Sequence, residues 1–155
     1  MNFFILLFSN EIFTAAALSW FVAQVIKTIL YAILNKKLDL ERMVGSGGMP
    51  SSHSSTVTAL ATASFFNYGA DSFEFAITAV LAMIVMYDAR GVRREAGKQA
   101  KVLNDLLELF ADTKNKIMPI DEKLKEFVGH TPLQVCIGGI LGVIIASLLH
   151  FQVVF

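Results

Sequence analysis

The sequence predicts a bundle of transmembrane α-helices with its charged loops gathered on one side, and three observations carry that prediction. Stretches 12–34 and 133–155 are apolar over the roughly 20 residues needed to cross a bilayer core. Two shorter apolar stretches, 54–68 and 73–87, flank a Gly69-Ala70-Asp71-Ser72 break and read as a transmembrane hairpin. Of the 13 lysines and arginines, three (36, 37 and 42) lie in the segment 35–53 and nine (90 to 125) in the segment 88–132. The last, Lys27, sits inside the first span. Four spans put both segments on one side, and the positive-inside rule makes that side the cytoplasm, with both termini outside.

Composition agrees. Hydrophobic residues are 55% of the 155 and charged ones 17%, against roughly 45–50% and 25% in a soluble domain. The length suits a single domain, 1–155. Zero net charge gives no field that would draw nucleic acid, so none is expected as a partner. Cys136 stands alone in an apolar run, which removes a disulfide framework or a thiolate metal site from consideration.

Taken in order, residues 1–8 are too short to span and lack a signal peptide's basic leader, so they lie at the interface or extend the first helix. The two arms of the hairpin are at the short end of the spanning range. From Val92, apolar residues at Ala96, Ala100, Leu103, Leu107 and Phe110 keep helical spacing, with Arg93, Arg94, Lys98 and Lys101 in the first turns. This predicts a cytoplasmic amphipathic helix, packed on the domain or lying on anionic headgroups. Residues 118–121 end it and 122–128 form a further short helix. In the last span Gly138 and Gly142 are a small-xxx-small pair, able to pack helices within the chain or between copies in a homo-oligomer.

Three polar constellations fall on the basic side. Gly45–Thr56 reads GSGGMPSSHSST. Its glycines allow close backbone approach, Pro50 suits a first helical turn, and the helix amides with the hydroxyls of Ser51 and Ser52 form an anion cradle. His53 follows at the membrane surface, with a ring that titrates near neutral pH. The second is Gly129-His130-Thr131-Pro132, where Thr131 is a natural N-cap and Pro132 a first helical residue. Two histidines beside helix amides on one face suit phosphoryl transfer, one attacking phosphorus and the other protonating the leaving oxygen. No third ligand at metal-site spacing accompanies them, so no metal is expected. The third constellation, Tyr87–Lys98, carries Asp88 with Arg93 and Arg94, whose guanidinium forks match phosphate oxygens. Lys27, one turn beyond Gln24 on the same helical face, is an intramembrane charge of the kind that marks function.

These residues carry a resemblance. Pro50-Ser51-Ser52-His53 resembles the Pro-Ser-Gly-His motif of the type 2 phosphatidic acid phosphatase superfamily, relatives of vanadium haloperoxidases. His130-Thr-Pro132 with Val135 and Gly138 looks like the end of its last motif. The combination of GGMPSSH at 47–53, MYDA at 86–89, GVRR at 91–94, AGKQA at 96–100, Leu103-Asn104 and GHTP at 129–132 is similar to that superfamily's divergent branch of small bacterial and plant membrane proteins. The resemblance implies a helical bundle that hydrolyses phosphate esters without a metal or other cofactor. It implies His130 as the nucleophile, His53 as the general acid, and a phosphate held by Ser51, the amides around Ser52 and basic groups. The sequence departs from the superfamily at four points. The first motif's lysine and arginine-proline are absent, which leaves Lys27 as substitute. Leu124 stands where an arginine is usual, which leaves Arg93 and Arg94. Ser52 replaces glycine. Gln134 stands where an aspartate orients the nucleophile, and Asp88, leaving the third span beside the arginines on the same face, is expected to take over that role, with Gln134 itself the alternative. The expected function is a lipid phosphatase in a bacterial inner membrane with a cytoplasmic site, acting on phosphatidate, phosphatidylglycerophosphate or a polyprenyl phosphate or pyrophosphate. The alternative is a lipid-phosphate binder or small transporter without turnover.

Overall fold

A computed structural model describes residues 2–36, 47–112, 124 and 130–154. Every element among them is a helix: α1 (Phe3–Phe8), α2 (Glu11–Asn35), α3 (Ser52–Tyr68), α4 (Phe73–Arg90), α5 (Val92–Asp112) and α6 (Pro132–Val154). The expected loop residues 37–46, the stop at 118–121 and the short helix at 122–128 lie outside the described residues.

Helix boundaries follow local chemistry. The Asn10 side chain accepts from Phe13 N–H and starts α2, so α1 is a separate turn rather than an extension of the first span. Ser51 caps α3 through Ser54 N–H, and Ser72 caps α4 through Phe75 N–H. Pro50 therefore precedes the cap of α3 instead of opening the helix. Thr131 Oγ1 accepts from Gln134 N–H at 3.3 Å, and Pro132 opens α6, as its fixed φ and missing donor favour.

Burial is inverted relative to a soluble protein. Inside are small side chains: Ala15, Ala16, Ser19, Ala23, Ser54, Ser55, Ala59, Ala63 and Ala146. Outside are large apolar ones, among them Phe21, Ile33, Ile84, Ile140 and Leu148. Lipid tails solvate large apolar groups as well as a core does, so helices in a membrane associate through small residues that let backbones approach.

α3 is the hub, packed on by α2, α4 and α6. It runs antiparallel to α2, with Ser19 Oγ 2.6 Å from Ser55 Oγ and donating to Ser55 O at 3.0 Å. It runs parallel to α6, where Gly138 lies on the backbone of Ser51 and Gly142 on Ser55, Thr58 and Ala59. A methyl group at either glycine would overlap those atoms. Thr58 Oγ1 donates to Gly139 O across the same seam at 3.0 Å. The Gly138/Gly142 pair thus packs helices within the chain. At the far end His150 stacks on Phe66 (centroids 4.7 Å apart, planes at 12°), and its Nδ1 lies 2.9 Å from Glu11 Oε1, which ties α6 to the start of α2.

Three helical stretches are long and apolar enough to cross a membrane: Glu11–Asn35, Phe73–Leu109 (which contains α4) and Pro132–Gln152. The remaining expected span, α3, has 17 residues, about 25 Å against a core of about 30 Å. Its low hydropathy has a structural reason. Enclosed by three helices, it meets protein over most of its circumference and carries serines and alanines where a lipid-facing helix carries leucines.

α5 leaves α4 at Gly91; Gly97 and Asn104 on it are buried, while Ala96 and Leu103 of the expected apolar face are exposed, as are Val102, Leu106 and Leu109. Asn104 grips the backbone of Leu124 in both directions, Nδ2 to O at 2.9 Å and Leu124 N to Oδ1 at 3.0 Å. The Asn104 of the recognised motif therefore anchors the chain six residues before His130.

Candidate functional site

The C-terminal half of α2, the N-termini of α3 and α6, and the C-terminus of α4 meet at one end of the bundle. Two backbone bonds lock the junction. Ser51 N–H donates to Gln134 O at 3.1 Å, and His130 N–H donates to Ala89 O at 3.1 Å. The Pro-Ser-Ser-His segment is thus fastened to α6, and His130 to α4. His53 and His130 face each other with ring centroids 6.3 Å apart. His130 is buried (3% exposed) while His53, in the first turn of α3, is exposed.

Lys27 lies beneath the start of α3, also 3% exposed. Its ammonium donates to Gln24 Oε1 at 2.6 Å and to Ser52 Oγ at 3.5 Å. Gly48 holds a left-handed φ of +85° directly over the lysine stem, and a Cβ there would sit 3.2 Å from Lys27 Cγ. A side chain at 48 would be strained twice, by φ and by that contact, so the glycine lets the 47–50 segment close over the lysine. Ser51, fully buried, accepts from Ser54 N–H and Ser54 Oγ. Its Oγ is the cap of α3, and the first amides of that helix point out of its N-terminus beside Ser52.

Gln134 is hydrogen-bonded to the His130 ring. Gln134 Oε1 is 3.2 Å from His130 Nδ1 and 3.0 Å from Thr131 N. A backbone N–H only donates, so the atom it meets is the amide oxygen and Nδ1 carries the ring proton. In the neutral form of the ring, that proton leaves the lone pair on Nε2. Asp88 is half-buried in the last turn of α4, next to the Ala89 carbonyl that holds His130 N–H.

Of the expected site residues, Lys27, Ser51, Ser52, His53 and His130 converge, with Asp88 on the adjoining turn. Arg93 and Arg94 belong to the first turn of α5, but their side chains lie outside the described residues. Among the described residues no three of His, Cys, Asp and Glu gather as a metal site would need. Two participants carried weaker sequence signals. Gln24 was visible only as a polar residue one turn from Lys27, and Gln134 only as a departure from a motif.

Comparison with known proteins gives the family. The family model described as the divergent PAP2 family matches residues 8–145. An uncharacterized membrane protein of Bacillus subtilis (strain 168), YuiD, is 42% identical over 137 residues, covering 83% of this chain and 87% of that protein. No solved structure matches the chain.

Proposed function

The chain belongs to the divergent PAP2 family, and on that premise we propose that it is a metal-independent lipid phosphatase of a bacterial inner membrane, with its site at the cytoplasmic surface. The observation that carries the reading is the pair of facing imidazoles, 6.3 Å apart, beside a buried lysine and a serine-rich helix N-terminus. A near-attack nitrogen stands about 3–3.5 Å from phosphorus and an acid about 2.6–3.2 Å from the oxygen it protonates. With the P–O bond between them, those distances exceed the separation of the facing rings, so the two imidazoles swing apart as the phosphoryl group enters.

His130 Nε2 attacks phosphorus as the ester P–O bond breaks, and His53, in its protonated form, gives its proton to the departing alkoxide to leave a neutral alcohol. Nδ1–H stays on His130, donating to Gln134 Oε1, so the ring carries the positive charge of the phosphohistidine. Water then attacks phosphorus, the neutral His53 takes a proton from it, and the N–P bond breaks to return free His130 and inorganic phosphate. Lys27, Ser51, Ser52 and the amides of α3 hold the phosphate oxygens, and preorganised donors of this kind stabilise charge without reorganisation. Arg93 and Arg94 add charge from α5. Phosphatidate, phosphatidylglycerophosphate and polyprenyl phosphates all present the group this site would take.

Purified protein is tested for release of inorganic phosphate from mixed lipid phosphates with chelator present. Release that His130→Ala or His53→Ala lowers by about 10²–10⁴-fold supports the reading; equal rates in the His130→Ala protein overturn it. The neutral amide under His130 favours a second reading, a lipid-phosphate binder without turnover, because glutamine does not balance an imidazolium charge. Saturable phosphatidate binding with no phosphate release would select it.

A further inference from the structure

At the end of the bundle opposite the two histidines, the start of α2, the end of α3 and the end of α6 line a cavity of about 420 Å³. Its polar side chains are Ser9, Asn10, Glu11, Thr14, Asn67 and Tyr68. Their existing hydrogen bonds decide what they can offer a ligand. Ser9 Oγ and Thr14 Oγ1 spend their protons on Leu6 O and Phe8 O, which leaves them lone pairs. Asn67 gives one N–H to Ala63 O and keeps its amide oxygen unused. Glu11 meets His150 through Oε1, and among the described residues its Oε2 has no partner. The cavity is rich in free acceptors, one of them a carboxylate oxygen.

The charge around it has one sign. Segments 1–26, 54–89 and 126–155, which contribute this end, contain no lysine or arginine. Glu11 opens α2, and Asp71 and Glu74 flank the start of α4 at the same end. The last turn of α3, which carries Asn67 and Tyr68, adds the negative pole of its helix dipole. Such a surface draws cations.

We propose that this cavity binds a primary ammonium group, carried by an ethanolamine phospholipid or by a free amine. The three N–H donors of an ammonium match Glu11 Oε2, the Asn67 oxygen and the hydroxyl lone pairs. A calcium ion takes about six to eight oxygens at close range, and one carboxylate in a space of this size does not gather them. The volume instead falls among small-molecule sites, about 300–1,000 Å³. A quaternary ammonium has no N–H to give, and Phe8 and Tyr68 alone do not make the aromatic cage it prefers. In a lipid headgroup the phosphodiester sits beside the ammonium, where the unused donors of Asn10 and Tyr68 suit it, and Ile12 and Leu149 supply apolar wall for the glycerol end. The site uses neither His53 nor His130, so it stands apart from the question of turnover.

Full-length, lipid-depleted protein in detergent is titrated by calorimetry with dihexanoyl phosphatidylethanolamine, dihexanoyl phosphatidylcholine and free ethanolamine. Phosphatidylethanolamine should bind saturably and at least about tenfold more tightly than phosphatidylcholine, the loss expected when charge-assisted hydrogen bonds go unmade. Ethanolamine binding as tightly assigns the site to a free amine, and weaker binding assigns it to the lipid headgroup. Glu11→Gln keeps an oxygen for His150 but removes the charge, and should weaken binding at least about tenfold. Asn67→Leu leaves the Glu11–His150 tie intact, should weaken binding likewise, and decides the matter if Glu11→Gln protein does not fold. Lys27→Met, at the other end of the bundle, should leave the Kd unchanged. Equal affinity for the two phospholipids, no saturable binding, an unchanged Kd in folded Glu11→Gln protein, or a Kd that Lys27→Met weakens would each overturn the site.

Discussion

Gln134→Leu is the most informative single change in the site. It keeps the side chain's bulk and removes the oxygen shared by His130 Nδ1 at 3.2 Å and Thr131 N at 3.0 Å. Thr131 is exposed, so water replaces its lost acceptor. His130 is 3% exposed and its ring is not rescued in that way. Leaving a buried donor unsatisfied costs about 1–3 kcal/mol. The ring escapes that cost only by moving its proton to Nε2, which takes the lone pair away from the attacking atom. At about 1.4 kcal/mol per decade, kcat falls roughly five- to 150-fold. KM changes little, because the phosphate contacts of Ser51, Ser52 and Lys27 are untouched. The assay is initial phosphate release against phosphatidate concentration, with thermal melting in detergent to show that the fold persists. Gln134→Glu should raise kcat, since a carboxylate stabilises the imidazolium, and Asp88→Asn should change little. Full kcat in a folded Gln134→Leu protein would refute the assignment of the ring proton to Nδ1. A loss confined to Asp88→Asn would move the orienting role to α4.

Lys27→Met should weaken phosphate binding about ten- to 100-fold, the loss expected for a charge-assisted hydrogen bond of about 1.5–3 kcal/mol, read as a rise in KM or in the Kd for phosphatidate. Gly142→Ala should destabilise the bundle by about 1–3 kcal/mol through overpacking against Ser55 and Thr58, seen as a lower Tm in detergent; an unchanged Tm would contradict the close α3–α6 seam. In a Cys136→Ser background, a cysteine at Asp71 should react with impermeant reagents from outside intact cells and one at Lys98 should not. The reverse pattern would invert the topology.

Much of this was legible in the sequence because lipid imposes simple rules. Apolar length located α2, α4 and α6, and Thr131 announced the start of α6, while Pro50 placed the start of α3 two residues early. The least apolar arm of the hairpin is α3, and its serines and alanines are in retrospect the mark of a helix enclosed by others. The motifs brought His53 and His130 together on paper; spacing alone, with 76 residues between them, did not. What stayed hidden was pairing between helices. Large lipid-facing side chains carry no information about partners, so the seating of Gly138 on Ser51 needed the folded chain. The His150–Glu11 tie was missed although a signal existed. One ionisable residue near the outer end of each of the first and last spans, of opposite potential charge, suggests a pair.

Covalent phosphorylation of His130 is what separates a phosphatase of this design from a binder, and the phosphorylated ring can be trapped. Protein is mixed with lipid phosphate carrying a radiolabelled phosphoryl group, quenched in base after milliseconds to seconds, and the labelled peptide is sequenced. The account predicts an acid-labile, base-stable label on His130, absent from His130→Ala protein. Turnover with label on another residue, or undiminished turnover by His130→Ala, would contradict it.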